Sequence, residues 1–202
     1  MMNKLKSKNF HIGSNITLGK NWINIDNSPI IILKNFLSID KKLKFGNIVN
    51  KQLCSSNEAD NIYLSHVLEH LTFEDADKAL LNIYKMLKKG GFLRIVVPSL
   101  KSRINLYLKN NDGDELLGSL GICLKSESNF LKKMRFYFGL SRHKWMYDEI
   151  SLKKKLIKSG FSNLRLCSFG DSKRNIFKEI ENKDRFLEKN GSLPAVAIEA
   201  IK

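Results

Sequence analysis

The stretch from Ala59 to Pro98 constrains this chain most, because its hydrophobic periodicity changes twice. "ADNIYLSHVL" begins with a strand-like apolar run at 61 to 64 and passes into a short turn or helix around His66 to Leu71. From Phe73 to Leu87, Ala76, Leu80, Ile83, Tyr84 and Leu87 recur at intervals of three and four. That spacing lines one face of an α-helix. Thr72 is placed to cap it, and Gly90–Gly91 to end it with lysines in the last turn. "FLRIVVP" then reads as an apolar strand stopped by Pro98. Strand, helix, strand is the grammar of an α/β sheet.

The flanks extend this grammar with weaker signals. "NFHIG" at 9 to 13 and "WINIDN" at 22 to 27 are strand candidates separated by turn residues. Residues 30 to 45 have room for a short helical or irregular segment ending near Gly46, and a third weak strand is expected at about 48 to 50. Residues 99 to 140 break the pattern, with one helix candidate at their start and another near 127 to 138. "DEISLKKKLIKSGF" at 148 to 161 is an amphipathic helix with Gly160 as its C-cap. Strand candidates at roughly 163 to 169 and 193 to 201 fit an antiparallel pair completing the sheet, with Pro194 at a strand start.

Length and composition set outer bounds. With 202 residues, 43% hydrophobic and 27% charged, the expectation is one domain over 1–202. No apolar run reaches the ~18 to 20 residues of a membrane helix, and the basic N-terminus lacks the apolar core of a secretory signal, so a cytoplasmic location is expected. Cys54, Cys123 and Cys167 are odd in number and widely separated, which argues against a disulfide framework or a paired zinc spacing. The net charge of +15 would attract polyanions. Its lysines and arginines are scattered without regularly interleaved aromatics, which favours a solvated basic surface over a dedicated nucleic-acid face.

Ligands of open α/β sheets bind outside the carboxyl ends of the strands. Gly13 and its "GSN" turn sit there after the first strand, and Asp26 ends the next, where a carboxylate can accept from ribose hydroxyls. "SHVLEHL" adds His66, Glu69 and His70 in the order H-x-x-E-H. Two histidines and a glutamate so spaced could bind zinc when carried on a regular helix.

Four of these segments, in this order, resemble the class I S-adenosylmethionine-dependent methyltransferases, especially the type 11 group. They are "HIGSN" with "GKNWINID", "DNIYLSHVLEHL", "ALLNIYKMLKKGGFLRIVVP" and "RHKWMYDEISLKKKLIKSGF". The resemblance implies a Rossmann-like three-layer α/β fold whose mostly parallel central sheet has a late antiparallel strand, with a variable lid or substrate segment at about 99–147. It implies S-adenosyl-L-methionine as cofactor, with Gly13, Ser14 and Asn15 walling its amino-acid part and Asp26 on its ribose. By the same resemblance Asn50 and Lys51 approach the adenine edge, while Ser65 and His66 line the pocket. Asn15 departs from a common glycine of the family, and Asn50 from a common acidic residue.

Because "LEH" follows a strand in this family, the H-x-x-E-H spelling is read as accidental and no metal ligand is assigned. Direct, metal-independent methyl transfer is expected, to a small-molecule, glycan or lipid-linked acceptor. His66 is a candidate general base, and His143 in "RHKWMYDE" a second. The competing accounts are an RNA methyltransferase and a degenerate cofactor-binding protein without transferase activity; oligomeric state is left open.

Overall fold

Alternation of side chains sorts the central strands into two cores. In the strands around Ile62 and Ile95, Ile62, Leu64, Leu93, Ile95 and Val97 enter one apolar cluster, whereas the intervening Tyr63 and Val96 enter another on the opposite face. Strands buried on both faces demand cover on both, which is the three-layer arrangement.

The computed structural model describes residues 7–14, 18–28, 43–122, 142–188 and 193–202. β1 (Asn9–Ile12), β2 (Ile23–Asp26), β3 (Leu43–Phe45), β4 (Ala59–Ser65) and β5 (Leu87–Val97) pair in parallel. α1 (Phe73–Met86) crosses from β4 to β5 and buries Ala76, Ala79, Leu80, Ile83 and Met86. Two short helices, α2 (Leu100–Asn110) and α3 (Gly113–Leu120), follow β5, and α4 (Glu149–Lys158) precedes β6 (Ser162–Cys167). A one-turn α5 (Lys183–Phe186) leads into a small pair, β7 (Leu187–Glu188) and β8 (Leu193–Pro194). β9 (Val196–Ile201) inserts antiparallel between β5 and β6. The sheet order is β3-β2-β1-β4-β5-β9-β6. Chain order runs outward from β1 to β3 and resumes on the other side of β1 at β4, so a crevice opens at the carboxyl ends of β1 and β4.

The expected Rossmann-like sheet with late antiparallel pairing is therefore present, with local corrections. The third strand is at Leu43–Phe45 and residues 48 to 50 are a turn. The carbonyls of Ile48 and Val49 accept from the Asn82 side chain, at 2.7 and 3.4 Å, and so are engaged outside any ladder. Thr72 caps α1 as expected, accepting from the Asp75 amide. The helix nevertheless stops at Met86 rather than at Gly90–Gly91, because pairing shifts from Ala59–Leu87 to Asn61–Phe92 and throws "KKGG" out as a bulge. Gly90 takes φ +75° there, a conformation glycine adopts without steric cost. The last strand candidate divides into β8 and β9, and Pro194 lies in the short β8. Asp148 and Ser151 cap α4 reciprocally. The helix expected near 127 to 138, most of 30 to 45, and Cys123 lie outside the described residues. Among the described residues, no helix is long and apolar enough to cross a membrane.

One buried charge organises the second core. Arg94 of β5 stands opposite Glu199 of β9 and donates to its carboxylate at 3.0 Å. It also donates to the carbonyls of Asp171 and Ser168 and ion-pairs with Glu181. Burial pushes Glu199 up, but hydrogen bonds from Ser172 and Arg165 outweigh it and hold the carboxyl below its ordinary range. Removing Arg94 takes the ion-pair partner of buried Glu181 and one of the donors to Glu199, so Arg94→Ala should cost about 3–5 kcal/mol in urea unfolding. Because the folded pKa of Glu199 is depressed, its contribution is present above the ordinary carboxylate range of roughly pH 4. Stability measured across pH should fall as acid is added through the lower, folded value, and this loss should be smaller in Glu199→Gln.

Candidate functional site

At the carboxyl ends of β1, β2 and β3 lies a pocket lined by Ile12, Gly13, Asp26, Asn27, Gly46, Asn47, Ile48, Val49, Val67 and Leu71. It is a shallow pocket of about 320 Å³ counting its open mouth. Its walls are mostly apolar, with a carboxylate at the tip of β2. Asp26 also accepts from the Ser28 amide at 2.9 Å, which orients it.

Gly13 makes the pocket's inner turn. Its φ is +76°, and a side-chain carbon there would stand 2.2 Å from Val67 Cγ2. Only glycine lets the turn after β1 lie against the residue that follows β4. The amides of Gly13 and Ser14 both donate to the Ile25 carbonyl, at 2.9 and 3.2 Å. Ser14 is fully buried with its hydroxyl on the same carbonyl, so it braces the turn and is not among the residues lining the pocket. Asn15 lies outside the described residues.

The remaining assigned residues are redistributed. Asn50 and Lys51 are exposed beyond the turn, and Asn47, Ile48 and Val49 line the pocket in their place. The shift follows from the earlier end of β3. "FGN", a glycine and asparagine closing a short apolar run, was the available signal for that end. Ser65 is buried, and its carbonyl accepts from Arg185 at 2.8 Å. His66 adopts φ +54°, with Nε2 on the Arg185 carbonyl at 2.9 Å and Nδ1 at 3.3 Å from Glu69 Oε1. Both ring nitrogens are thus engaged, which withdraws the lone pair that a general base requires. His143 Nδ1 lies 2.8 Å from the Leu120 carbonyl, and burial pushes its pKa down. The structure brings it beside Glu69 and His70, a neighbourhood the sequence did not foretell. His11 is buried against the Tyr63 ring, a structural placement. Burial raises the Cys54 thiol to about 11, leaving little thiolate near neutral pH.

Residues 17–95, from just after the glycine turn into β5, match the methyltransferase type 11 family model, described as a methyltransferase domain. Over that stretch the chain is similar to the class I S-adenosylmethionine-dependent methyltransferases. The cofactor that this similarity implies is S-adenosylmethionine. Solved structures agree on the fold. An S-adenosylmethionine-dependent methyltransferase from Archaeoglobus fulgidus superposes with TM-score 0.54 at 18% identity, over 98% of this chain and 87% of that one. A possible histamine N-methyltransferase from Thermotoga maritima gives 0.53 at 14%, over 96% and 82%. Phosphoethanolamine N-methyltransferase 2 of Haemonchus contortus, in complex with S-adenosyl-L-methionine, gives 0.51 at 15%, over 97% and 48%. No curated protein matches the sequence significantly.

The residues present fit this cofactor: a glycine cradle that any side chain would fill, a carboxylate at the tip of β2 and an apolar floor. Gly13→Ala should lose about 1–2 kcal/mol in urea unfolding from left-handed backbone strain on an L-residue, with the clash against Val67 adding to it. Adding Val67→Ala should recover only the steric part.

Proposed function

We propose that the chain transfers the methyl group of S-adenosylmethionine directly to a small-molecule acceptor, with Asp26 holding the ribose hydroxyls. The observation that carries this is Asp26 at the tip of β2, in one pocket with Gly13 and the apolar residues Ile48, Val49, Val67 and Leu71. The adenine then lies toward Asn47 and Ile48, and the sulfonium toward the turn after β1. Gly13's missing side chain lets backbone approach the amino-acid part of the cofactor closely.

Direct transfer asks for an in-line approach of the acceptor to the methyl carbon, supplied by orientation rather than by a covalent enzyme intermediate. The approach side is the surface above β4 and β5, where residues 142–147 pack on Glu69: the amides of Lys144 and Trp145 donate to its carbonyl at 2.6 and 3.2 Å. Two of the solved relatives carry names of small amine methyltransferases, which supports a small acceptor here. The segment at about 99–147, through α2 and α3, is then the part that shapes acceptor choice. The dispersed charge of +15 is the one observation favouring RNA as acceptor.

Calorimetric titration of the ligand-stripped chain with S-adenosylmethionine should give a saturable, near one-to-one isotherm. Asp26→Ala should weaken it at least tenfold, from about 1.5–3 kcal/mol of charge-assisted hydrogen bonding. Unchanged affinity in a folded variant would sink the ribose assignment. Steeply salt-dependent RNA binding accompanied by methyl transfer to RNA would replace the small acceptor, and cofactor binding with no transfer to any acceptor would leave a binding protein.

A further inference from the structure

We propose that Glu69, His70 and His143 form a binding site for a divalent transition-metal ion such as zinc, on the loop that borders the cofactor pocket. One ligand atom from each of the three lies within 4.8 Å of the other two. The His70 and His143 rings meet edge to face with centroids 5.1 Å apart. His70 Nε2 is 3.9 Å from Glu69 Oε1. Around a bound ion at ~2.0–2.2 Å, ligand atoms stand roughly 3.3–3.6 Å apart, so the cluster needs to draw in by about an ångström.

The outer sides of the rings show how they are prepared. His70 Nδ1 lies 3.0 Å from the Arg142 carbonyl and His143 Nδ1 2.8 Å from the Leu120 carbonyl. A carbonyl only accepts, so each Nδ1 donates, and in the neutral tautomer this leaves the Nε2 lone pair facing the cluster. Anchoring the outer nitrogen on a carbonyl is how metal-binding histidines are oriented. Gly121, at φ +69°, gives the His143 ring its room, since a side-chain carbon there would stand 2.7 Å from Nδ1.

Glu69 supplies a second, independent sign. It is fully buried; His66 Nδ1 lies 3.3 Å from Oε1, while Oε2 has no hydrogen-bond partner among the described residues. A buried carboxylate oxygen without a partner is costly. Two imidazoles and one carboxylate favour zinc, iron or cobalt over magnesium or calcium, which prefer all-oxygen sets. Three protein ligands leave a position open for water or an acceptor oxygen. Val67 and Leu71, which flank the Leu68–His70 turn, line the cofactor pocket, so an acceptor held on the ion would be close to the methyl group.

The test uses untagged, chelator-stripped full chain titrated with Co²⁺, read by visible ligand-field absorption, with Zn²⁺ as competitor. One equivalent should bind saturably, zinc should displace it, and His70→Gln and His143→Gln should each weaken binding at least tenfold, whereas Cys54→Ser should leave it unchanged. Nitrogen-15 spectra of the unaltered chain give a readout that needs no variant: Zn²⁺ should shift the Nε2 signals of His70 and His143 while their Nδ1 protons persist. Absence of saturable binding, full-strength binding by folded His143→Gln, or unmoved Nε2 signals would overturn the site. None of these readouts involves S-adenosylmethionine, so a failed metal site and a failed methyltransferase reading are separable.

Discussion

The contact between Gly13 and Val67 is the constraint on which the pocket depends. Strand order reverses between β1 and β4, and a reversal alone only separates the two chain exits. Here the turn after β1 folds back to the Ile25 carbonyl, while the residue after Ser65 of β4 takes a left-handed backbone conformation. The two exits therefore approach to a distance that excludes even one side-chain carbon at Gly13. Everything that lines the pocket, from Asp26 on one side to Leu71 on the other, is placed relative to that closure.

Behind it, the second core works as an anchor. Arg94 fixes the segment from Ser168 to Glu181 to the far face of the sheet, through two carbonyls and the Glu181 carboxylate. That segment leads into α5, whose Arg185 accepts from His66 with its carbonyl and donates to the Ser65 carbonyl with its guanidinium. A continuous line of polar contacts thus runs from the middle of β5 to the loop after β4. The loop's unusual backbone at His66 persists because both ring nitrogens and the amide are engaged, the amide on the Val96 carbonyl.

Much of this was legible in the sequence where local and long-range demands agree. The β4–α1–β5 unit has strong periodicity, a capping residue and a bounding proline, and each specifies the same structure. The carboxylate at Asp26 was legible too, since a strand's end fixes its position whatever the register. The end of β3 was not. The apolar pair Ile48–Val49 looks like a strand, yet its carbonyls go to Asn82 of a helix that follows much later in the chain. Ser14 misled in another way. A serine after a turn glycine can face a ligand or brace the turn, and the distinction lies in whether Ile25 presents its carbonyl.

The H-x-x-E-H segment shows the limit of spacing as a guide. It was set aside because "LEH" follows a strand in the resembled family, and the one-turn helix at Leu68–His70 is not the regular helix that would align two histidines by itself. Alignment here comes from elsewhere. Lys144 and Trp145 donate their amides to the Glu69 carbonyl and bring His143 in beside His70, while the Arg142 and Leu120 carbonyls set the proton on the outer nitrogen of each ring. Donor geometry is thus assembled by backbone groups that carry no side-chain signature. A motif scan sees the neighbours in sequence and misses the third ligand, because what recruits that ligand is a pair of main-chain hydrogen bonds.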